Sequence, residues 1–258
     1  MEELGIDRPA FSFVVAGVAL QPDEGARLED LFNPYSTVFD DWTAAAAAAR
    51  GAGLTDEVGG RWRATPNGRE LAARVRREAD AYLATLEPIP NVELVRLAGL
   101  LARALAAIEA SGVPHDHISR TARACGDARI PMVALENAIF GLWQARDDCH
   151  MSSWREGGFD GPTFDVLTHV WRGVANEDEL AAKLPQRPDD IRAAVARLRR
   201  DGLVREGALA VTPRGAEVRQ RVEDVTDERF FAPWPEEVGA EGGWIRERLA
   251  AVNTALAS

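Results

Sequence analysis

A mainly α-helical chain with small β-hairpin wings, built as two winged-helix units joined by a helical middle, is the fold class this sequence predicts. Three observations predict it. Apolar residues recur at three-to-four spacing over long stretches. The order helix, Gly-Leu, hairpin, Thr-Pro-x-Gly, helix occurs twice, around Gly53-Leu54 and Thr65-Pro66-Asn67-Gly68 and again around Gly202-Leu203 and Thr212-Pro213-Arg214-Gly215. Three helical patterns separated by short turns precede the second occurrence, the order of a helix-turn-helix.

The first helix pattern runs over 37–49, where Asp40 or Asp41 can cap a helix through Trp42 and an alanine tract, alanine being the best helix former. Gly59-Gly60 between two short apolar-containing runs is a two-residue hairpin signal. A helix follows over about 69–86. After Pro88 and Pro90, Leu94, Leu97, Leu101, Leu105 and Ile108 form one apolar stripe of a further helix. Residues 112–129, with His115-Asp116-His117, have weak periodicity and read as a connector. Pro131 opens a strong helix to about residue 154, with Met132, Leu135, Ile139 and Leu142 on its buried face.

From Gly161 the expected order is helix 162–171, helix 176–184, a turn at Pro185-Gln186-Arg187-Pro188, and helix 189–201 ended by Gly202. A hairpin at 203–211 then leads into a helix to about 229. An acidic, Pro/Gly-rich stretch over 233–243 precedes a last amphipathic helix. The domains expected are 1–90, an N-terminal winged-helix-like unit; 91–158, a helical linker, dimerisation or pocket region; and 159–258, a winged-helix domain with a terminal helix.

Composition narrows the function classes. The chain has 258 residues, 46% hydrophobic and 28% charged, as soluble globular chains do. Thirty basic and forty-one acidic residues give a net charge of −11, which repels nucleic acid and anionic lipid at long range. Two cysteines are too few for a disulfide framework or a cysteine-based zinc site, so a reduced, cytoplasmic setting is expected. The N-terminal apolar run over 11–20 is too short to span a bilayer and is preceded by acids where a signal peptide has bases. A membrane role is not expected. Lys183 is the sole lysine, so arginine counts alone say little.

The run Glu179-Leu180-Ala181-Ala182, Ile191, Val195, Leu198, Gly202-Leu203-Val204, Leu209 and Thr212-Pro213-Arg214-Gly215 resembles the winged helix of MarR-type transcriptional regulators, over about 161–229. More of the chain, 131–258, resembles a mostly actinobacterial winged-helix-like family of unestablished function. Pro131, Leu135, Arg146-Asp147-Asp148-Cys149-His150, Asp160-Gly161-Pro162, Leu167-Thr168-His169, Thr226-Asp227 and Pro233-Trp234 carry that resemblance. These likenesses imply a helix-turn-helix whose second helix enters the major groove N-terminus first while the wing meets the backbone.

In that arrangement Arg192, Arg197, Arg199 and Arg200 project from the helix, Arg187 from the turn and Arg205 from the wing, all suited to guanine edges and phosphates. Between Asn176 and Arg221 ten basic and eight acidic residues leave +2, and the remainder of the chain carries −13. Against DNA stand Asp189 and Asp190, which suit the helix dipole yet face the groove. The equivalent helix of the first unit is mostly alanine behind Asp40 and Asp41, which makes that unit a packing or dimerisation module.

A second constellation lies on the helix after Pro131. Glu136, Phe140, Trp143, Asp147, His150 and Trp154 recur at spacings of three and four, one helix face. Aromatic walls could hold a planar ligand there while Asp147 raises the pKa of His150. Trp143, Arg146, Asp147, Asp148, His150 and Trp154 are the candidate ligand-binding residues, Arg146, Asp148 and His150 foremost by the resemblance. The alternative is solvated aspartates, a hydrogen-bonded interfacial histidine and packed tryptophans. No catalytic nucleophile, nucleotide motif, cofactor or metal site is identified, since His115-x-His117 alone is a weak metal signal.

The expected function is therefore a cytoplasmic, ligand-responsive winged-helix transcriptional regulator that binds double-stranded DNA as a homodimer formed through its long amphipathic helices. The alternative is a biosynthetic enzyme or small-molecule-binding protein on a winged-helix scaffold that no longer binds DNA, with a pocket near His150. A structural partner protein with neither activity is a third option.

Overall fold

The computed structural model describes residues 6–114 and 125–257. His115 and His117 lie outside them, as does most of the expected connector. Among the described residues the chain is mainly helical, with one two-stranded sheet.

The first unit begins with a helical run that the sequence reading left unassigned. Asp7 caps α1 (Arg8–Ser12) by accepting from the Ala10 N–H at 2.9 Å, and the chain continues through a wide π turn, Phe13–Gly17, and a tight 3₁₀ turn, Val18–Leu20. Apolar residues all round explain both the missed signal and the burial: Phe13 and Val14 are wholly enclosed. Helix α2 (Phe39–Gly51) follows. Asp40 and Asp41 stand in its first turn instead of capping it; Val38 is the cap residue, with no side-chain bond.

Strands β1 (Thr55–Val58) and β2 (Arg61–Ala64) pair antiparallel, Val58 opposite Arg61, around Gly59 and Gly60, both at positive φ as the two-residue turn requires. Helix α3 (Pro66–Leu83) starts three residues before its expected position, because Thr65 caps it.

Helix α4 (Asn91–Glu109) and helix α5 (Pro131–Glu156) form the middle. Leu94, Leu97, Leu101 and Ile108 of α4 pack against Leu135, Ala138, Leu142, Ala145 and Cys149 of α5. Ile139, expected on the buried face, is 41% exposed. Met132, Leu135 and Leu142 are buried as expected, and Ala138 and Ala145 complete the packed stripe where Ile139 turns outward.

The second unit comprises α6 (Gly161–Trp171), α7 (Glu177–Lys183) and α8 (Pro188–Arg200). Asp160 and Asn176 cap the first two, accepting from the N–H groups of Thr163 and Glu179 at 2.8 Å each. Phe164, Leu167, Leu180, Ile191, Val195 and Leu198 make the core, closed by Met151 and Trp154 from the last turns of α5. The expected hairpin shrinks to a single bridge, Val204 opposite Val211, made by the Arg205 N–H to the Ala210 carbonyl and the Thr212 N–H to the Leu203 carbonyl; beyond it the Ala210 N–H turns back to the Ala208 carbonyl. Helix α9 (Pro213–Phe231) then returns along α5. A short helix α10 (Glu236–Ala240) lies inside the stretch expected to be irregular, and α11 (Gly242–Leu256) follows. Val238, Ile245 and Val252 pin both to the middle core.

The two Gly-Leu/Thr-Pro-x-Gly corners are built alike. The Leu54 N–H reaches the Ala49 carbonyl at 3.0 Å and the Leu203 N–H reaches Leu198 at 2.8 Å. Each threonine hydroxyl donates to the glycine that ends the preceding helix, Thr65 to Gly53 at 2.8 Å and Thr212 to Gly202 at 2.7 Å. Each hydroxyl oxygen accepts from the N–H of the glycine three residues on, at 3.1 and 3.0 Å. That second glycine is required by contact: a Cβ at Gly68 would lie 2.0 Å from the Leu54 carbonyl oxygen, and one at Gly215 2.1 Å from that of Leu203.

Candidate functional site

Two regions hold the residues singled out from the sequence. The first is the helix-turn-helix surface around α8. Its six arginines do not form one free stripe. The Arg187 guanidinium pairs with Asp40 of α2, a contact that raises its pKa above the ordinary arginine value. Arg197 pairs with Asp160 and donates to the Gly158 carbonyl at 3.0 Å, fastening α8 to the start of α6. Arg199 donates to the Arg205 carbonyl at 3.3 Å and so holds the wing. Arg192 pairs with Asp189 on its own helix. Arg200 and Arg205 are exposed and make no ion pair with a described residue, as do Arg214 and Arg221 on α9.

The turn that leads into α8 is fastened to the first unit, while Pro188 and Asp189 at the start of the helix stay exposed. Ser36 and Thr37, before α2, hydrogen-bond the Pro185 carbonyl, by hydroxyl at 2.7 Å and by N–H at 3.1 Å. The Arg187 N–H returns a bond to the Thr37 hydroxyl at 2.8 Å. Gly161 makes room beneath: a Cβ there would lie 2.1 Å from the Pro34 carbonyl oxygen. With the Arg187–Asp40 pair these contacts form a clasp that joins the starts of α2 and α8. Asp40, Asp41, Asp189 and Asp190 therefore gather at the two helix starts, where the dipoles favour them.

The second region is the α5 face, and the structure divides it. At about 100° per residue, Asp147 and His150 sit about 60° apart around the helix, and different neighbours take the two flanks. On one flank the Tyr35 hydroxyl donates to Asp147 at 3.4 Å and accepts from the Trp154 indole N–H at 3.3 Å. Burial, and then the Asp147 charge, push the Tyr35 phenol well above the usual tyrosine value, so it remains a neutral donor. Trp143, Asp147, Gln144 and the segment from Leu31 to Trp42 line a groove of about 580 Å3. Trp143 is 64% exposed at its edge. The buried Trp42 indole N–H, on the opposite wall, has no partner among the described residues.

On the other flank, facing α9, Arg146 pairs with Glu223 at 2.8 Å and Asp227 at 2.9 Å. The Thr226 hydroxyl donates to the Val222 carbonyl at 2.6 Å, so its oxygen can only accept from His150 Nδ1, 3.2 Å away. That assigns the neutral ring its Nδ1–H form. Burial lowers the His150 pKa, against the pull of Glu223 3.5 Å away. Glu223 is held below the usual glutamate value despite its burial, by the Arg146 hydrogen bond and the Arg219 charge. Asp148 is buried.

The sequence-derived pocket residues thus separate. Trp143 and Asp147 meet at the groove with Trp154 behind them, whereas Arg146 and His150 belong to the α5–α9 seam. Sequence reasoning missed Tyr35 and Trp42, which come from the other end of the chain; Asn33-Pro34-Tyr35-Ser36 carries no periodic signal that points to α5. Among the described residues no group of three or more His, Cys, Asp or Glu side chains could hold a metal ion, and no helix is long and apolar enough to cross a membrane.

A family model described as a helix-turn-helix family matches residues 91–258. The chain belongs to this helix-turn-helix family. The match contains α4, α5 and the whole second unit, so the family signature includes the helix that carries the groove face as well as the helix-turn-helix. The first unit lies outside it. No curated protein and no solved structure matches the chain.

Proposed function

We propose that this helix-turn-helix protein is a cytoplasmic transcriptional regulator whose DNA binding responds to a small molecule. One observation carries the reading: the segment that walls the groove is also the segment that clasps α8. Tyr35, Ser36, Val38 and Asp41 line the groove, while Ser36, Thr37 and Asp40 hold Pro185 and Arg187. A ligand that displaces this segment would release the turn that leads into α8, at the end that enters a major groove. Arg200 on α8 and Arg205 on the wing are the side chains available for phosphates or bases; Arg192 becomes available if it exchanges Asp189 for a phosphate.

A gel shift against the protein's own upstream region at low salt tests this. The unmodified chain is expected to retard DNA weakly, and a Thr37→Ala/Asp40→Ala variant of unchanged melting temperature at least tenfold more tightly. Adding Arg200→Ala/Arg205→Ala to that variant should abolish retardation. If the opened variant retards DNA no better than the one lacking both arginines, the proposal is wrong.

That outcome would favour the second reading, a small-molecule-binding or biosynthetic protein on a winged-helix scaffold that has given up DNA. The internal bonds of Arg187, Arg197 and Arg199 support it. A homodimer is part of the first reading. Since α4 and α5 bury their apolar faces on each other within one chain, it would form elsewhere, for example over the exposed Val92 and Val95 of α4.

A further inference from the structure

We infer that the groove between the first unit and α5 takes an organic cation with a planar, aromatic body. The inference rests on the reading of the groove as a ligand site and adds the chemistry of its occupant.

Four aromatic side chains border the space: Phe32, Tyr35 and Trp42 from the first unit and Trp143 from α5. Trp143 leaves most of its indole in solvent at the rim, where a flat ring could stack on it without displacing any packed side chain. Among the described residues its one close aromatic neighbour is Phe140, with ring centroids 6.4 Å apart, which leaves a face of the indole open.

Charge then selects among planar ligands. The ionisable acids on the wall are Asp41, from α2, and Asp147, from α5, so carboxylates stand on both sides. Among the described residues no Arg, Lys or His side chain lines the groove. An anionic ligand would meet two like charges on the walls, whereas a cation gains both carboxylates and the negative faces of the indoles. Asn33 and Gln144 add amide groups that can accept from an N–H on the ligand. The groove is open enough to admit a ring system, and its volume of about 580 Å3 lies within the range of small-molecule sites.

The test uses three probes of one shape on the full chain at pH 8 without DNA. N-methylquinolinium is permanently cationic, quinoline is neutral and quinoline-2-carboxylate is anionic. N-methylquinolinium is expected to quench tryptophan fluorescence saturably and to bind at least tenfold more tightly than quinoline, with the carboxylate weakest. Asp41→Asn/Asp147→Asn, in which an amide oxygen can still accept from Tyr35, should raise the Kd for N-methylquinolinium at least tenfold and leave quinoline unchanged. Trp143→Ala should weaken both rings. Equal binding of quinoline and N-methylquinolinium, an unchanged Kd in the double asparagine variant, or no saturable quenching would overturn the inference. Because DNA is absent, these outcomes are independent of the gel shift: a cation site with no DNA retardation leaves this inference standing and removes the regulator reading, and the reverse result does the opposite.

Discussion

The two winged-helix units share a corner and little else. In each, a glycine ends a helix, a leucine enters the core, and a threonine ties that glycine to the next helix with bond lengths that agree to within about a tenth of an ångström. The helix before the corner differs completely. In the first unit α2 is an alanine rod that buries Ala45, Ala46 and Ala49; in the second α8 buries Ile191, Val195 and Leu198 and leaves all six of its arginine and aspartate side chains unburied. Corner geometry depends on a few backbone groups that leave no room for change. The outer face of a helix is under no such constraint, so it can diverge while the fold stays.

The sharpest way to break the comparison is to fill the corner glycines. Gly68→Ala and Gly215→Ala each place a methyl group against a carbonyl that cannot move without shifting its helix, and each is expected to destabilise by about 2–3 kcal/mol. Denaturant unfolding with tryptophan fluorescence measures both. If only one of them is costly, the corners are alike in shape but not in the strain they tolerate.

Thr65→Val and Thr212→Val probe the same likeness more gently. Each removes one hydroxyl that donates to a glycine carbonyl and accepts an N-terminal N–H, at an expected cost of about 1–2 kcal/mol. Equal melting-temperature losses would support a common corner; a loss confined to Thr212 would show that the first corner is held by the full β1–β2 ladder that the second lacks.

The smallest expected effect sharpens the contrast in how the units attach to α5. The first meets it through the neutral Tyr35 and an Arg76–Glu136 ion pair at 3.3 Å that contains no histidine, the second through the seam of Arg146, Glu223 and the partly buried His150. In the unfolded chain His150 takes up a proton near its ordinary value of about 6.5, and in the fold burial lowers that value. Stability is therefore fully present above about pH 6.5 and declines as pH falls from there towards the folded pKa. Urea midpoints at pH 7.5 and 5.5 should diverge in the parent chain and converge in His150→Gln. An identical pH slope in both would dismiss the seam as the acid-sensitive contact.

Much of the second unit was legible because its signals are local. Asp160, Asn176 and Thr212 each start a helix by accepting from the N–H three residues on, and Pro188 starts one through its fixed φ at the first helical position. The run Phe13–Leu20 was opaque for the opposite reason: a segment apolar on every side has no period to read. Ile139 is the one misleading position of the α5 stripe: Met132, Leu135 and Leu142 are packed as their spacing predicts, but the place beside them is filled by Ala138, whose small side chain gives no strong apolar signal.

The candidate site shows the same division. Trp143, Asp147, His150 and Trp154 share one face by helical spacing alone. Nothing in that spacing tells which flank meets Tyr35 and which meets Glu223. Those contacts join residues far apart in the chain, 112 positions between Tyr35 and Asp147 and 147 between Asp40 and Arg187. Helix starts, corners and the helix-turn-helix were thus determined by the sequence itself, since neighbouring backbone and side-chain groups decide them. The groove, the clasp on α8 and the placement of each arginine were decided by the tertiary structure, because they depend on how three separate cores pack their helices together.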